Sequence, residues 1–226
     1  MKTRGTLLML AVLIFSSCIV KSLQPFYTKD SLSFNEKLLG NWIDNKNGEW
    51  TIESIRDKFE EDRDKTEIRS KEDLIAFENY KEGYYITYIR KEKGAGFIAM
   101  PFKIKDHYFI DFIPFEIEDD EINSLAAEHL LKTHSVSKLD ITSDKELALS
   151  WLSEKRIKRL FEEQKIRLKH EKIGIQEDLL LTATSDELYN FLTKYTEANL
   201  FNKTEDKNNK WAPNDKLTLT KVDAKP

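Results

Sequence analysis

The chain has little of what usually announces chemistry. It carries one cysteine, seven glycines and five prolines in 226 residues. A single cysteine excludes an intramolecular disulfide and every multi-cysteine zinc or iron–sulfur site. Seven glycines leave little room for a phosphate-cradling loop or a dinucleotide fingerprint; neither occurs, and there is no G-x-S-x-G elbow. Basic excess is missing as well: a formal charge of −4 argues against nucleic acid as a partner. Beyond the N-terminus, no apolar run approaches the roughly 20 residues that span a bilayer. Core material, in contrast, is plentiful. The chain is 40% hydrophobic and 11% aromatic, which excludes disordered and collagen-like classes.

The N-terminus is tripartite. Lys2 and Arg4 open it, Leu7 to Phe15 is an unbroken apolar run of nine residues, and Ser16 and Ser17 supply small residues. This is the pattern of a secretory signal peptide. Phe15-Ser16-Ser17-Cys18 resembles the lipobox of bacterial lipoproteins, with Phe15 standing where Leu is usual. The resemblance implies cleavage before Cys18, lipid attachment to its sulfur, and membrane anchoring through that lipid. Residues 1–17 are then the signal peptide, 18–36 a lipidated N-terminus and tether, and 37–226 a single β-rich domain. Loss of Lys2 and Arg4 takes the formal charge from −4 to −6. Ile19, in place of Asp after the Cys, favours the outer membrane of the bacterial envelope by the same resemblance.

The rest of the chain reads as hairpins. Leu38–Trp42, the turn Asn45-Lys46-Asn47-Gly48 and Trp50–Glu53 form one. Asp57–Glu82, with 16 charged residues of 26, is solvated; Ser70 and Asp73 have capping-box spacing ahead of a short helix over about 71–80. Tyr84–Lys91, Phe97–Ile104 and Tyr108–Phe115 form a meander, with a turn at Lys93-Gly94-Ala95-Gly96. In its middle strand Ile98, Met100, Phe102 and Ile104 share one face, and Pro101 signals an edge or a bulge. Ser135–Ile141 and Glu146–Trp151 pair through Ser143-Asp144. A helix at about 153–164, strands at Leu168–Ile173 and Leu179–Ala183, and a second helix capped by Thr184 and Glu187 follow. Lys216–Val222 closes with a strand after a polar loop containing Trp211. The fold class is mainly β: an antiparallel meander or barrel of about 8–10 strands with two accessory helices.

A meander opening on Leu39-Gly40-x-Trp42 resembles the lipocalin-like barrels. That resemblance implies a close bend at Gly40, a plug of the barrel floor by Trp42, and Lys221 on the last strand where the family often has Arg. Over most of the chain, Tyr27-Thr28-x-x-Ser31-Leu32-x-Phe34, Leu38-Leu39-Gly40-x-Trp42, Thr51 and Asp178–Ala183 running into Asp186-Glu187-Leu188 resemble a group of uncharacterised bacterial lipoproteins. This second resemblance implies location and architecture and brings no activity.

Candidate chemistry is sparse. His129 and His134 are five apart, a spacing that suits neither a helical nor a strand metal pair, so no metal site is expected and no cofactor is implied. Asp111, on a strand face with Phe109 and Ile113, reads as an acid or base if burial raises its pKa, or else as a carboxylate that is solvent-exposed there or paired with a neighbouring-strand Lys or Arg. With Asp140 it forms the one hydrolase alternative. Lys155–Lys172 carries eight cations against three Glu, whereas Asp111–Glu121 is acidic; the basic stretch either meets anionic headgroups or is a solvated face. The expectation is a non-catalytic, lipid-anchored protein with a binding or scaffolding role. It would take a small apolar ligand inside the barrel, lined by Tyr84, Tyr88, Phe97, Met100, Phe102, Phe109, Phe112 and Phe115, or an envelope protein as partner.

Overall fold

In the computed structural model, the described residues are 19–61, 70–118, 131–175, 177–198 and 216–223. The expected signal segment, Cys18, His129, the acidic run beyond Glu118 and Trp211 lie outside them.

Eight antiparallel strands close a barrel: β2 (Gly40–Asp44), β3 (Glu49–Ser54), β4 (Tyr84–Arg90), β5 (Lys93–Ile104), β6 (His107–Glu118), β7 (Ser135–Ser143), β8 (Glu146–Trp151) and β11 (Lys216–Val222). Each pairs with its neighbour in sequence, and β11 closes the ring between β8 and β2. This is the lipocalin-like barrel that the Gly-x-Trp opening implied. Four helices accompany it among the described residues: α1 (Ile55–Glu61), α2 (Lys71–Tyr80), α3 (Glu154–Glu162) and α4 (Ser185–Glu197). The capping box Ser70–Asp73 starts α2, and Thr184–Glu187 starts α4.

Among the described residues, three strands stand outside the barrel. β1 (Lys21–Ser22) runs parallel to β10 (Asp178–Leu181), which pairs antiparallel with β9 (His170–Ile173). With α3 and α4 they build a second layer over β5, β6 and β7, so the molecule has two apolar cores. The inner one fills the barrel and includes Trp42, Trp50, Tyr84, Ile86, Phe112, Leu149 and Leu219. The outer one lies between barrel wall and second layer and includes Val20, Phe26, Phe102, Phe109, Val136, Ile157, Leu181 and Leu192.

Four expectations are corrected. Phe102, Phe109 and Met100 do not point into the barrel. Phe97, Ala99 and Pro101 alternate with them, and Phe97 and Ala99 belong with the inner core while Phe102 and Phe109 belong to the outer. Phe115 is 45% exposed and meets Tyr85 edge-on. The turn between β4 and β5 is Lys91-Glu92, both with positive φ (52° and 64°), the two-residue hairpin loop whose twist matches the strands. Lys93–Gly96 is strand, paired with Thr87–Arg90. Residues 19–34 are no loose tether, since Val20 and Phe26 are buried and Ser22 exchanges two backbone hydrogen bonds with His134 at 2.9 Å. Finally, the two strands after α3 belong to the small sheet, not the barrel. Pro101, by contrast, sits at a local edge: β4 ends its pairing at Tyr84–Ala99, so the missing N–H is not needed there. The Pro101 carbonyl instead accepts from Ser33 N–H at 2.9 Å.

Candidate functional site

The barrel interior is filled. Leu38, Trp50, Ile52, Ile86, Ile110, Phe112, Leu139, Leu147, Leu149 and Leu219 surround a residual cavity of about 10 Å3. That is about the volume of one water, far below the few hundred Å3 of a ligand pocket. Large side chains on neighbouring strands cause this: Trp42 pairs with Trp50, Trp50 pairs with Tyr88, and Phe97 meets Phe112 edge-on at 6.1 Å.

One end of the barrel is closed by the segment before β2. Gly40 has φ +116°, and a Cβ there would stand 3.2 Å from Lys221 Cε. The bend drops Leu38 into the inner core and turns the Trp42 indole so that Nε1 donates to the Leu38 carbonyl at 2.9 Å. Lys221, paired with Trp42 on β11, places Nζ 5.2 Å from the indole centroid, a cation–π contact. Tyr84 completes this end: its hydroxyl donates to the Asn35 carbonyl at 2.9 Å and accepts from Asn35 N–H at 2.8 Å.

Asp111 and Asp140 both lie on the outer face of the barrel but do not form a pair. Asp111 aligns with Val136, and Asp140 is four residues further along β7, about 13 Å away. Asp111 is fully buried; Oδ2 accepts from Phe26 N–H at 2.8 Å and Oδ1 lies 2.7 Å from His134 Nδ1. Burial pushes its pKa up, against the opposing pull of His134 and the Phe26 amide. Asp140 is half-exposed and holds Lys138. The pairing that engages Asp111 is therefore a histidine brought in by the β6–β7 register, and it fastens the N-terminal segment to the barrel wall. Sequence alone offered no signal for it.

Among the described residues no group of three or more His, Cys, Asp or Glu could hold a metal ion. His170 Nδ1 lies 2.9 Å from the Leu168 carbonyl, and its ring lies against Phe161.

A much larger concavity lies outside the barrel. A groove of about 850 Å3 runs between α3, residues 163–168 and α4. Leu160, Ile166, Leu168, Phe191 and Tyr195 form its more buried part, and the exposed Arg159, Lys165, Arg167 and Lys194 stand along it with Glu163 and Glu187. The basic stretch is partly neutralised locally: Glu154 holds Lys158 at 2.6 Å, and Glu163 holds Arg159 at 2.8 Å and Lys165 at 2.7 Å. Sequence reading found the apolar stripe of α3 but not the groove, because a groove needs the facing helix. No family model, curated protein or solved structure matches the chain.

Proposed function

We propose that the protein is a lipid-anchored lipoprotein of the bacterial envelope, attached through Cys18, with a non-catalytic binding or scaffolding role exerted from its outer surface. The observation that carries the binding mode is the contrast between a filled barrel and an open groove of about 850 Å3 between α3 and α4. The residual cavity of about 10 Å3 inside the barrel supports binding at the outer surface rather than a small apolar ligand within. The groove, apolar within and flanked by Arg167 and Lys194, with Arg159 and Lys165 held by Glu163, suits an apolar segment of a partner protein bearing an acidic flank. Anchoring is supported by the signal-like segment that ends at the chain's one cysteine.

Both parts are testable. Cys18→Ala abolishes acyl labelling and releases the protein from membranes; labelling that persists overturns the anchor, since no other thiol exists. A photo-reactive residue in place of Arg167 crosslinks to one envelope protein, and Leu160→Glu removes the crosslink. Native mass spectrometry decides between this and a small ligand: an added mass lost with Leu160→Glu places a small amphiphile in the groove instead.

A further inference from the structure

We infer that Asn47 is a deamidation site that the fold keeps latent. The Asp44 carboxylate holds the Gly48 amide away from the Asn47 side chain, and reaction waits until this end of the β2–β3 hairpin opens.

Asn47-Gly48 is the one Asn-Gly pair in the sequence. Gly has no side chain to crowd the attacking nitrogen, so in an open chain this pair is especially prone to the reaction. The Gly48 nitrogen loses its proton to a solvent base and bonds to Asn47 Cγ. The bond from Cγ to the side-chain nitrogen breaks, and ammonia leaves with a proton taken from water. Water then opens the cyclic imide at either carbonyl, leaving an aspartyl or an isoaspartyl residue.

The fold dictates both residues of the pair. Asn47 has φ 61°, in the left-handed region that Asn tolerates better than most residues. A Cβ on Gly48 would collide with the Tyr88 ring and the Asp44 carboxylate. The turn therefore cannot take a slower-reacting residue after Asn47 without displacing Tyr88 on β4.

What the turn does instead is lock the nitrogen. Asp44 is 3% exposed; its Oδ1 accepts from Gly48 N–H at 2.8 Å and from Lys46 N–H at 2.7 Å. Its Oδ2 accepts from the Trp50 indole at 2.9 Å. The Asn47 N–H donates to the Asp44 carbonyl at 3.0 Å, and the Asp44 N–H to the Gly48 carbonyl at 2.8 Å. Hydrogen bonds thus fix the peptide units on both sides of Asn47 and the one after Gly48. Ring closure turns the Gly48 nitrogen toward Asn47 Cγ and breaks them. Charge acts in the same direction, since a carboxylate 2.8 Å from the nitrogen disfavours the amide anion that must form first.

The damage is lasting. An isoaspartyl residue carries an extra backbone carbon through the turn, so the Asp44 N–H and the Gly48 carbonyl no longer meet in the register that pairs Ile43 with Glu49. An opening that ends in reaction leaves this barrel end loosened.

The test compares two rates in the intact protein. One is deamidation at position 47, by peptide mapping that separates the asparaginyl, aspartyl and isoaspartyl forms; the other is hydrogen exchange at the Gly48 amide. The chain unfolded in urea is the reference for both. The folded protein deamidates at least about tenfold more slowly, and by no smaller a factor than Gly48 exchange is slowed, because the same opening must precede both. Equal deamidation in folded and unfolded protein overturns the inference. So does deamidation slowed less than Gly48 exchange, which would mean reaction from the closed turn. In Asp44→Asn both protections fall together while β5 and β6 keep theirs; unchanged protection of Gly48 overturns the role of Asp44. If that variant also loses protection in β5 and β6, Asp44→Ser, a smaller neutral acceptor with no amide donor to face the Trp50 indole, is read in the same way.

Discussion

A buried indole needs a partner for its N–H, and Trp42 finds it in the Leu38 carbonyl at 2.9 Å while its face takes Lys221. Trp42→Ala empties the closed end of the barrel and costs about 3–5 kcal/mol in urea unfolding; a loss below about 1 kcal/mol would mean the site collapses without strain. This residue was legible because Gly-x-Trp states its own requirement: φ at Gly40 lies where side chains are rarely tolerated. Asp111 was legible only in part. Its strand face could be read, but its partner His134 is 23 residues away and arrives through sheet register. Its pH behaviour follows from the raised pKa. The folded state binds the Asp111 proton more tightly than the unfolded chain does, so this contribution is full below the ordinary carboxylate pKa and is lost as pH rises through the raised value. Unfolding free energy measured between the ordinary and the raised pKa therefore carries a downward slope with pH from Asp111, and Asp111→Asn removes that component. An unchanged profile in the variant would show that His134 and the Phe26 amide fully offset the burial.

At the scale of elements, the hairpins were legible and the assignment of faces was not, and β5 shows why. Alternation tells which residues share a face, but Ile98, Met100, Phe102 and Ile104 are as apolar as a lumen lining would be. They face the other way because the second layer buries the outer wall there, with Phe102 stacked on Phe109 at 5.4 Å. A strand buried on both sides gives no period-2 contrast to decide between them. The helices that cover it were visible through their caps and stripes. In α4 the Thr184 side chain accepts from Glu187 N–H at 3.3 Å, while Leu188, Leu192 and Tyr195 enter the outer core. Thr184→Ala consequently lowers stability by about 1 kcal/mol, measured by thermal melting. Thr184→Ser retains most of it.

For the molecule as a whole, the N-terminal segment is what joins the two layers. It contributes Val20 and Phe26 to the outer core, pairs β1 with β10, and delivers the Phe26 amide to Asp111 on the barrel wall. Composition could not reveal this, because residues 19–34 look like a linker until the surface they cover exists. The inner core draws only Phe34 from this stretch, at its edge against Tyr84; Leu38, already past it, is its first fully buried member. The two cores should therefore respond unequally to damage at the seam. Phe26→Ala removes a fully buried ring and costs about 3–5 kcal/mol locally. Amide exchange in the variant accelerates in β1, β9, β10 and α4, whose packing depends on that ring, while β2, β3 and β4, on the far side of the barrel, keep their protection. Equal acceleration in both sets would show that the layers open as one cooperative unit, with the shared strands β5 to β7 transmitting the loss across the barrel wall.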